Sequence, residues 1–220
     1  KMIVFGGNKV NTFGSLTAWG DPDKGGSTTD GTGYYGAPSS GTYVNIFSTN
    51  WAFAALKEDG SIAVWGRSSN GGSGAPGGTG YVNIFSTETA FAALKEDGSI
   101  AVWGNSSNGG SGAPSGTGYV NIFSTGRAFA ALKDDGSIAV WGDSSYGGSG
   151  APSSGTYVNV FSTCCAFAAL KDDGSIAVWG SSSYGGSGAP SGTYVNVFST
   201  GYAFAALKDD GSIAVWGSSS

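Results

Sequence analysis

The chain repeats itself. The segment Ala-Phe-Ala-Ala-Leu-Lys-(Glu/Asp)-Asp-Gly-Ser-Ile-Ala-Val-Trp-Gly begins at Ala52, Ala90, Ala128, Ala166 and Ala203, at spacings of 38, 38, 38 and 37 residues. Tyr-Val-Asn-(Ile/Val)-Phe-Ser-Thr precedes each copy, from Tyr43, Tyr81, Tyr119, Tyr157 and Tyr194, and a glycine-rich link ending in Gly-Ala-Pro follows the first four. A sixth, degenerate copy opens the chain: Phe13–Gly20 matches the third strand of a unit and Gly36-Ala37-Pro38 matches its link, after an insertion that carries Asp21, Asp23 and Asp30. A period of this length means a supersecondary unit that buries its apolar surface only against its neighbours. The 220 residues read as a single repeat domain, with units at about 1–40, 41–78, 79–116, 117–154, 155–192 and 193–220.

Within a unit, Lys-(Glu/Asp)-Asp-Gly-Ser between two apolar runs is a hairpin signal, because glycine accepts the positive φ of a tight turn or G1 bulge. Strict alternation puts Tyr43, Asn45 and Phe47 on one face and Val44 and Ile46 on the other; Ile62 and Val64 oppose Ala63 and Trp65. Both faces carry apolar groups, so each small sheet must be covered on both sides. Alanines at 52, 54 and 55 suit close approach of sheets, and Phe53 and Trp65 fill the remaining space. The expected fold is all-β: a β-propeller of about six short blades, three- or four-stranded, with the Gly-Ala-Pro link as the source of any short outer strand. An open superhelical array of the same sheets makes the same contacts without closing and stays as the alternative.

Composition narrows the function. Forty-one glycines and six prolines demand many turns, while 40% apolar residues are enough for a core. Ten basic against fifteen acidic residues leave a net charge of −5, which disfavours nucleic acid and anionic lipid as partners. The absence of histidine removes the commonest metal ligand and general base, so no catalytic residue, metal or cofactor is assigned and an enzyme is not expected. No apolar run approaches the length of a membrane span, and Lys1–Phe5 is too short for a signal peptide, so neither membrane insertion nor a compartment is encoded. Localisation is therefore unknown, with an extracellular or cell-surface setting slightly favoured.

The order Asp-Gly-Ser-Ile-Ala-Val-Trp-Gly, a small polar stretch with Gly-Gly, a proline and then a strand leading into Ala-Phe-Ala-Ala-Leu resembles the repeats of the regulator of chromosome condensation family. That family has a Leu-x-x-Asp-Gly-x-(Val/Ile)-x-x-Trp-Gly core in each blade. The resemblance implies a β-propeller, usually of seven blades with longer repeats, that presents protein-binding faces. Guanine-nucleotide exchange belongs to one branch of the family and maps to no residue here. Six of the seven tryptophans, Trp19, Trp65, Trp103, Trp141, Trp179 and Trp216, are the repeat's own, so they read as structural.

Positions that differ between near-identical copies are not needed to make the blade, and they concentrate. Between Ser-Thr and Ala-Phe stand the pairs Asn50-Trp51, Glu88-Thr89, Gly126-Arg127, Cys164-Cys165 and Gly201-Tyr202. Just after Trp-Gly come Arg67, Asn105, Asp143 and Ser181, with Asn70, Asn108, Tyr146 and Tyr184 three positions on. The first set lies in the turn between strands one and two and the second follows strand three, so antiparallel pairing brings both to one face. This is a candidate recognition rim, since loops on a rigid scaffold vary without unfolding it. Trp51, Arg127 and Tyr202 are residue types enriched at interface hot spots.

Other features read as structural. Adjacent Cys164 and Cys165 form neither a disulfide framework nor a CxxC pair and count as another variable pair, with a redox or metal role as the lesser reading. Lys57, Lys95, Lys133, Lys171 and Lys208 are each followed by two acids and read as solvated hairpin tips. Asp21, Asp23 and Asp30 are the best candidates for calcium but lack the Asp-x-Asp-x-Asp-Gly spacing. Asn105-Ser106-Ser107 is a glycosylation sequon and the Ser/Gly links are potential O-glycan carriers, though flexible linker is the preferred reading. The expected function is therefore a non-catalytic binding scaffold that offers its variable rim to a protein or glycan. The alternative is a structural, self-assembling extracellular or surface protein whose units pack with copies of itself in a filament or layer.

Overall fold

A computed structural model describes residues 18–26 and 34–218. It contains five three-stranded antiparallel sheets in chain order, each a meander. Their first strands are Tyr43–Ser48, Tyr81–Ser86, Tyr119–Ser124, Tyr157–Ser162 and Asn196–Ser199. The second strands are Ala52–Lys57, Ala90–Lys95, Ala128–Lys133, Ala166–Lys171 and Ala203–Leu207, and the third are Ile62–Arg67, Ile100–Gly104, Ile138–Gly142, Ile176–Gly180 and Ile213–Gly217. A two-residue strand, Tyr34–Tyr35, adds a fourth, outer member to the first sheet by pairing with its third strand. First strands of successive sheets touch one another, so they form the inner edge of the array. Five of the six expected units are complete sheets. The degenerate first copy contributes Ala18 and Ala37 to the face of the first sheet, and its matching segment up to residue 17 lies outside the described residues.

The hairpin between second and third strands forms as the Asp-Gly signal predicts. In the second sheet Lys95 N–H donates to the Ser99 carbonyl and Gly98 N–H to the Lys95 carbonyl, closing a three-residue loop in which Gly98 has φ of 77°. A Cβ at Gly98 would stand 2.5 Å from the amide nitrogen of Gly118 in the next link, so backbone conformation and close approach both require glycine.

The sheets stack through one recurring interface. Ala52, Ala54 and Leu56, with Phe47, Ile62 and Val64, meet Tyr81, Ile84, Phe91, Ala93 and Trp103 of the next sheet. The same set recurs between the second and third, third and fourth, and fourth and fifth sheets. Alanines at the contact let backbones approach, while Phe91 stacks on Trp103 with ring centroids 5.0 Å apart. Each such aromatic buried from water stabilises the stack by about 1.5–3 kcal/mol. The indole is also anchored: Trp103 Nε1 donates to the Gly71 carbonyl at 3.0 Å, and Trp65, Trp141, Trp179 and Trp216 make the equivalent bond to Gly25, Gly109, Gly147 and Gly185. The link before each sheet is thereby clamped onto that sheet's face.

Two expectations are corrected. Strict alternation along the first strand fails, because Tyr81 pairs with Lys95 and Asn83 with Leu94, leaving Val82 as an extra residue at a register shift. The bulge returns Tyr81 and Ile84 to one face and sends Phe85 to the other. The extra valines, at 44, 82, 120, 158 and 195, are exposed in every unit. Trp19 is the second correction: it is 82% exposed, whereas the five tryptophans of the complete sheets are buried.

Candidate binding rim

The variable residues sit on the sheet end opposite the Asp-Gly hairpins. The backbone of the first set is linked from sheet to sheet by main-chain bonds. Asn50 N–H donates to the Glu88 carbonyl, Glu88 N–H to Gly126, Gly126 N–H to Cys164 and Cys164 N–H to Gly201, at 2.8–3.0 Å, so one unidirectional main-chain ladder crosses all five sheets. The second variable set is tied to the first within each sheet. Arg67, Asn105, Asp143, Ser181 and Ser218 donate their N–H to the carbonyls of Trp51, Thr89, Arg127, Cys165 and Tyr202. Both sets therefore stand side by side on one face.

The third component is the short 3-10 turn that follows each third strand in the first four sheets, such as Ser144–Tyr146. Its position is set by a threonine that the sequence reading passed over. Thr125 is buried; its hydroxyl oxygen accepts from the Ala128 N–H at 3.0 Å and donates to the Tyr146 carbonyl at 2.9 Å. Thr49, Thr87 and Thr163 hold Asn70, Asn108 and Tyr184 in the same way. The signal was present as an unvarying Ser-Thr before every variable pair. Asn105 and Asp143 cap their turns by accepting from Ser107 and Ser145 N–H, which gives the sequon asparagine a local structural role.

On this frame the side chains form three different groupings. At the first sheet the Trp51 ring is approached by two cations, with the Arg67 guanidinium 4.5 Å and the Lys24 ammonium 5.4 Å from its centroid. Centrally, Arg127 pairs with Glu88 at 3.9 Å and stacks over Tyr146 at 4.8 Å. At the far end Tyr184 and Tyr202 stand with centroids 5.8 Å apart, and Tyr202 is exposed. Thr89 is bound by the Asn108 side chain at 2.8 Å.

Cys164 and Cys165 are both free thiols. Burial, reinforced by a hydrogen bond with Cys164, pushes the Cys165 thiol up to about 12, and a protonated thiol is a poor nucleophile and metal ligand. Asp21 is occupied as the cap of the turn Pro22–Lys24 and pairs with Lys24 at 3.3 Å, while Asp30 lies outside the described residues. Among the described residues no group of three or more His, Cys, Asp or Glu side chains could hold a metal, and no helix is long and apolar enough to cross a membrane. At the opposite end the hairpin lysines are not simply solvated: Lys95 and Lys133 lie over the rings of Tyr81 and Tyr119 at 5.0 and 5.1 Å.

Neither protein-family models nor curated proteins give a match to the sequence. Solved structures do. The ectodomain of the Physcomitrella patens receptor kinase CR4 aligns with a TM-score of 0.59 at 19% identity, over 84% of this chain and 53% of that one. The CRINKLY WD40 ectodomain of the Arabidopsis thaliana receptor kinase ACR4 gives 0.57 at 17% identity, over 86% and 66%. Prp20p of Saccharomyces cerevisiae, solved with its binding to Gsp1p and histones as the subject, gives 0.54 at 15% identity, over 80% and 58%. The chain thus spans less than two thirds of each of these structures. The likeness shows the fold: a repeat propeller of the regulator of chromosome condensation type.

Proposed function

We propose that the protein is a non-catalytic scaffold whose variable rim binds a protein partner. The observation that carries this reading is the separation of labour at the rim. Main-chain ladder and turn-holding threonines repeat from sheet to sheet, while the side chains they carry change from cation-aromatic to ion pair to paired tyrosines. Such a surface offers rigid anchors of the kind that dominate protein interfaces, with little ordering cost on binding. The likeness to Prp20p, which binds Gsp1p and histones, is consistent with this use of the fold. A glycan would also stack on Trp51 or Tyr202, but the Glu88–Arg127 pair favours a partner with charges of its own.

The test is comparative capture from an extract of the source cells, quantified by mass spectrometry. Immobilised wild type is set against the triple variant Trp51→Ala, Arg127→Ala, Tyr202→Ala and against a variant of the opposite end, Lys95→Ala with Lys133→Ala. Proteins lost with the rim variant but retained with the hairpin variant are the expected result, with far-UV circular dichroism of all three unchanged. Equal capture by all three removes the rim from consideration, and enrichment of glycans alone makes the partner a carbohydrate.

A further inference from the structure

The end of the molecule opposite the variable rim keeps features that its own fold does not use. On the first strand of every sheet the bulge turns out a valine, and Val44, Val82, Val120, Val158 and Val195 are between 47% and 57% exposed. A single exposed valine needs no explanation, but the position is valine in all five copies. The first strands lie side by side, and the Ser86, Ser124 and Ser162 hydroxyls knit them by donating to the Ser48, Ser86 and Ser124 carbonyls at 2.8 Å. The valines therefore form a row along the inner edge. They stand beside the hairpins, since Val82 lies opposite Lys95 and Leu94 and its counterparts opposite the equivalent pairs.

The hairpin tips next to this row hold two acids each, and the two are used differently. The second, Asp59, Asp97, Asp135, Asp173 or Asp210, accepts from the N–H of the serine two residues on and builds the turn. The first, Glu58, Glu96, Asp134, Asp172 or Asp209, is exposed and, among the described residues, its side chain makes no hydrogen bond or ion pair. It alternates between glutamate and aspartate from copy to copy while its charge stays the same. The lysines do not neutralise these carboxylates by contact, because Lys95, Lys133, Lys171 and Lys208 lie over the rings of Tyr81, Tyr119, Tyr157 and Tyr194 at 5.0, 5.1, 5.8 and 5.7 Å. Ten acids and five lysines give the tips a net charge of −5, which is the net charge of the whole chain.

We propose that the valine row and the unpaired carboxylates beside it form a docking surface for a basic segment of a partner protein that carries aliphatic side chains. Charge complementarity selects the occupant: the excess negative charge of the molecule is gathered at this end, around an apolar strip that a hydrophilic cation alone would leave wet. Side chains rather than main chain make the contact. Asn83 Oδ1 accepts from the Ile84 N–H at 2.9 Å, and Asn45, Asn121, Asn159 and Asn196 do the same for Ile46, Ile122, Val160 and Val197, so the edge of each first strand is closed to an added strand. A surface that is the same in every unit suits an extended segment running from sheet to sheet. It lies at the other end from the variable rim and stands independently of the binding reading there.

The experiment is fluorescence anisotropy of short labelled peptides titrated with the full chain. The probe alternates leucine with lysine, and its counterparts alternate serine with lysine and leucine with glutamate. Wild type is set against Val82→Ser with Val120→Ser and Val158→Ser, against Glu96→Gln with Asp134→Asn and Asp172→Asn, and against the rim triple variant. All six hairpin-end substitutions lie at exposed positions, and circular dichroism confirms folding; threonine replaces serine in the valine variant if that one does not fold. Wild type is expected to bind the leucine–lysine peptide, less tightly as salt is raised, and each hairpin-end variant to bind it at least about tenfold more weakly. Equal affinity for the serine–lysine peptide overturns the proposal and leaves bulk charge attraction, while tight binding of the leucine–glutamate peptide overturns it in favour of an acidic partner. Unchanged affinity in either hairpin-end variant overturns it too, as does a wild type that binds no peptide. The rim triple variant is expected to bind as wild type does, which separates this inference from the rim reading; loss of binding in that variant would move the site to the rim.

Discussion

A single tryptophan in each unit performs three tasks. Trp141 fills the space between two sheets, stacks on Phe129 at 5.1 Å, and ties the preceding link down through its bond to the Gly109 carbonyl. Trp141→Ala removes the packing and leaves that carbonyl without its donor, so the expected loss of stability is about 3–5 kcal/mol, read from the urea midpoint. A change within error would place the indole outside the core. The role was legible in the sequence because Trp-Gly recurs at the end of an apolar run. Trp19 carries the same signature and yet faces water, because the face a residue occupies depends on a neighbouring sheet as well as on its own motif. The buried threonines were harder to see, since their importance lies in two main-chain partners that only the folded chain brings within reach.

At the scale of the element, the hairpin was readable and the first strand was not. Asp-Gly states its own turn geometry locally. The bulge at Val82 has no composition of its own: valine in an apolar strand looks like any paired residue, and only the register against Lys95 and Leu94 reveals that it is extra. The outer strand Tyr34–Tyr35 was hidden likewise inside an insertion. The hairpins also predict a response to acid. In Asp59, Asp97, Asp135, Asp173 and Asp210 the carboxyl accepts from the side chain and backbone of the serine two residues on, which holds each below the ordinary value of 3.8. A folded-state value below the unfolded one adds stability above about pH 4 that is lost as pH falls below it. Thermal midpoints should therefore be level from neutral pH to about 5 and drop below about 4. Replacing the partner serines by alanine should flatten that drop. An unaltered profile in the serine variants would show that these turns do not set the acid limit.

For the whole molecule, stability accumulates sheet by sheet. The three middle sheets are packed on both faces, whereas the fifth is packed on one. In a stack of nearest-neighbour contacts the end unit opens most easily. Amide hydrogen exchange of this chain should be fastest in Ala203–Leu207 and slowest in Ala128–Lys133. Uniform protection would mean that the array opens as one body. The periodicity made the stacking legible, together with the side-by-side placement of the variable loops.

The chain of amides through Asn50, Glu88, Gly126, Cys164 and Gly201 consists of peptide groups alone. Side chains at those positions owe nothing to the bonding that holds them in line. A library randomised there would sample recognition without sampling foldability, and any two modules could trade places and carry their specificities with them.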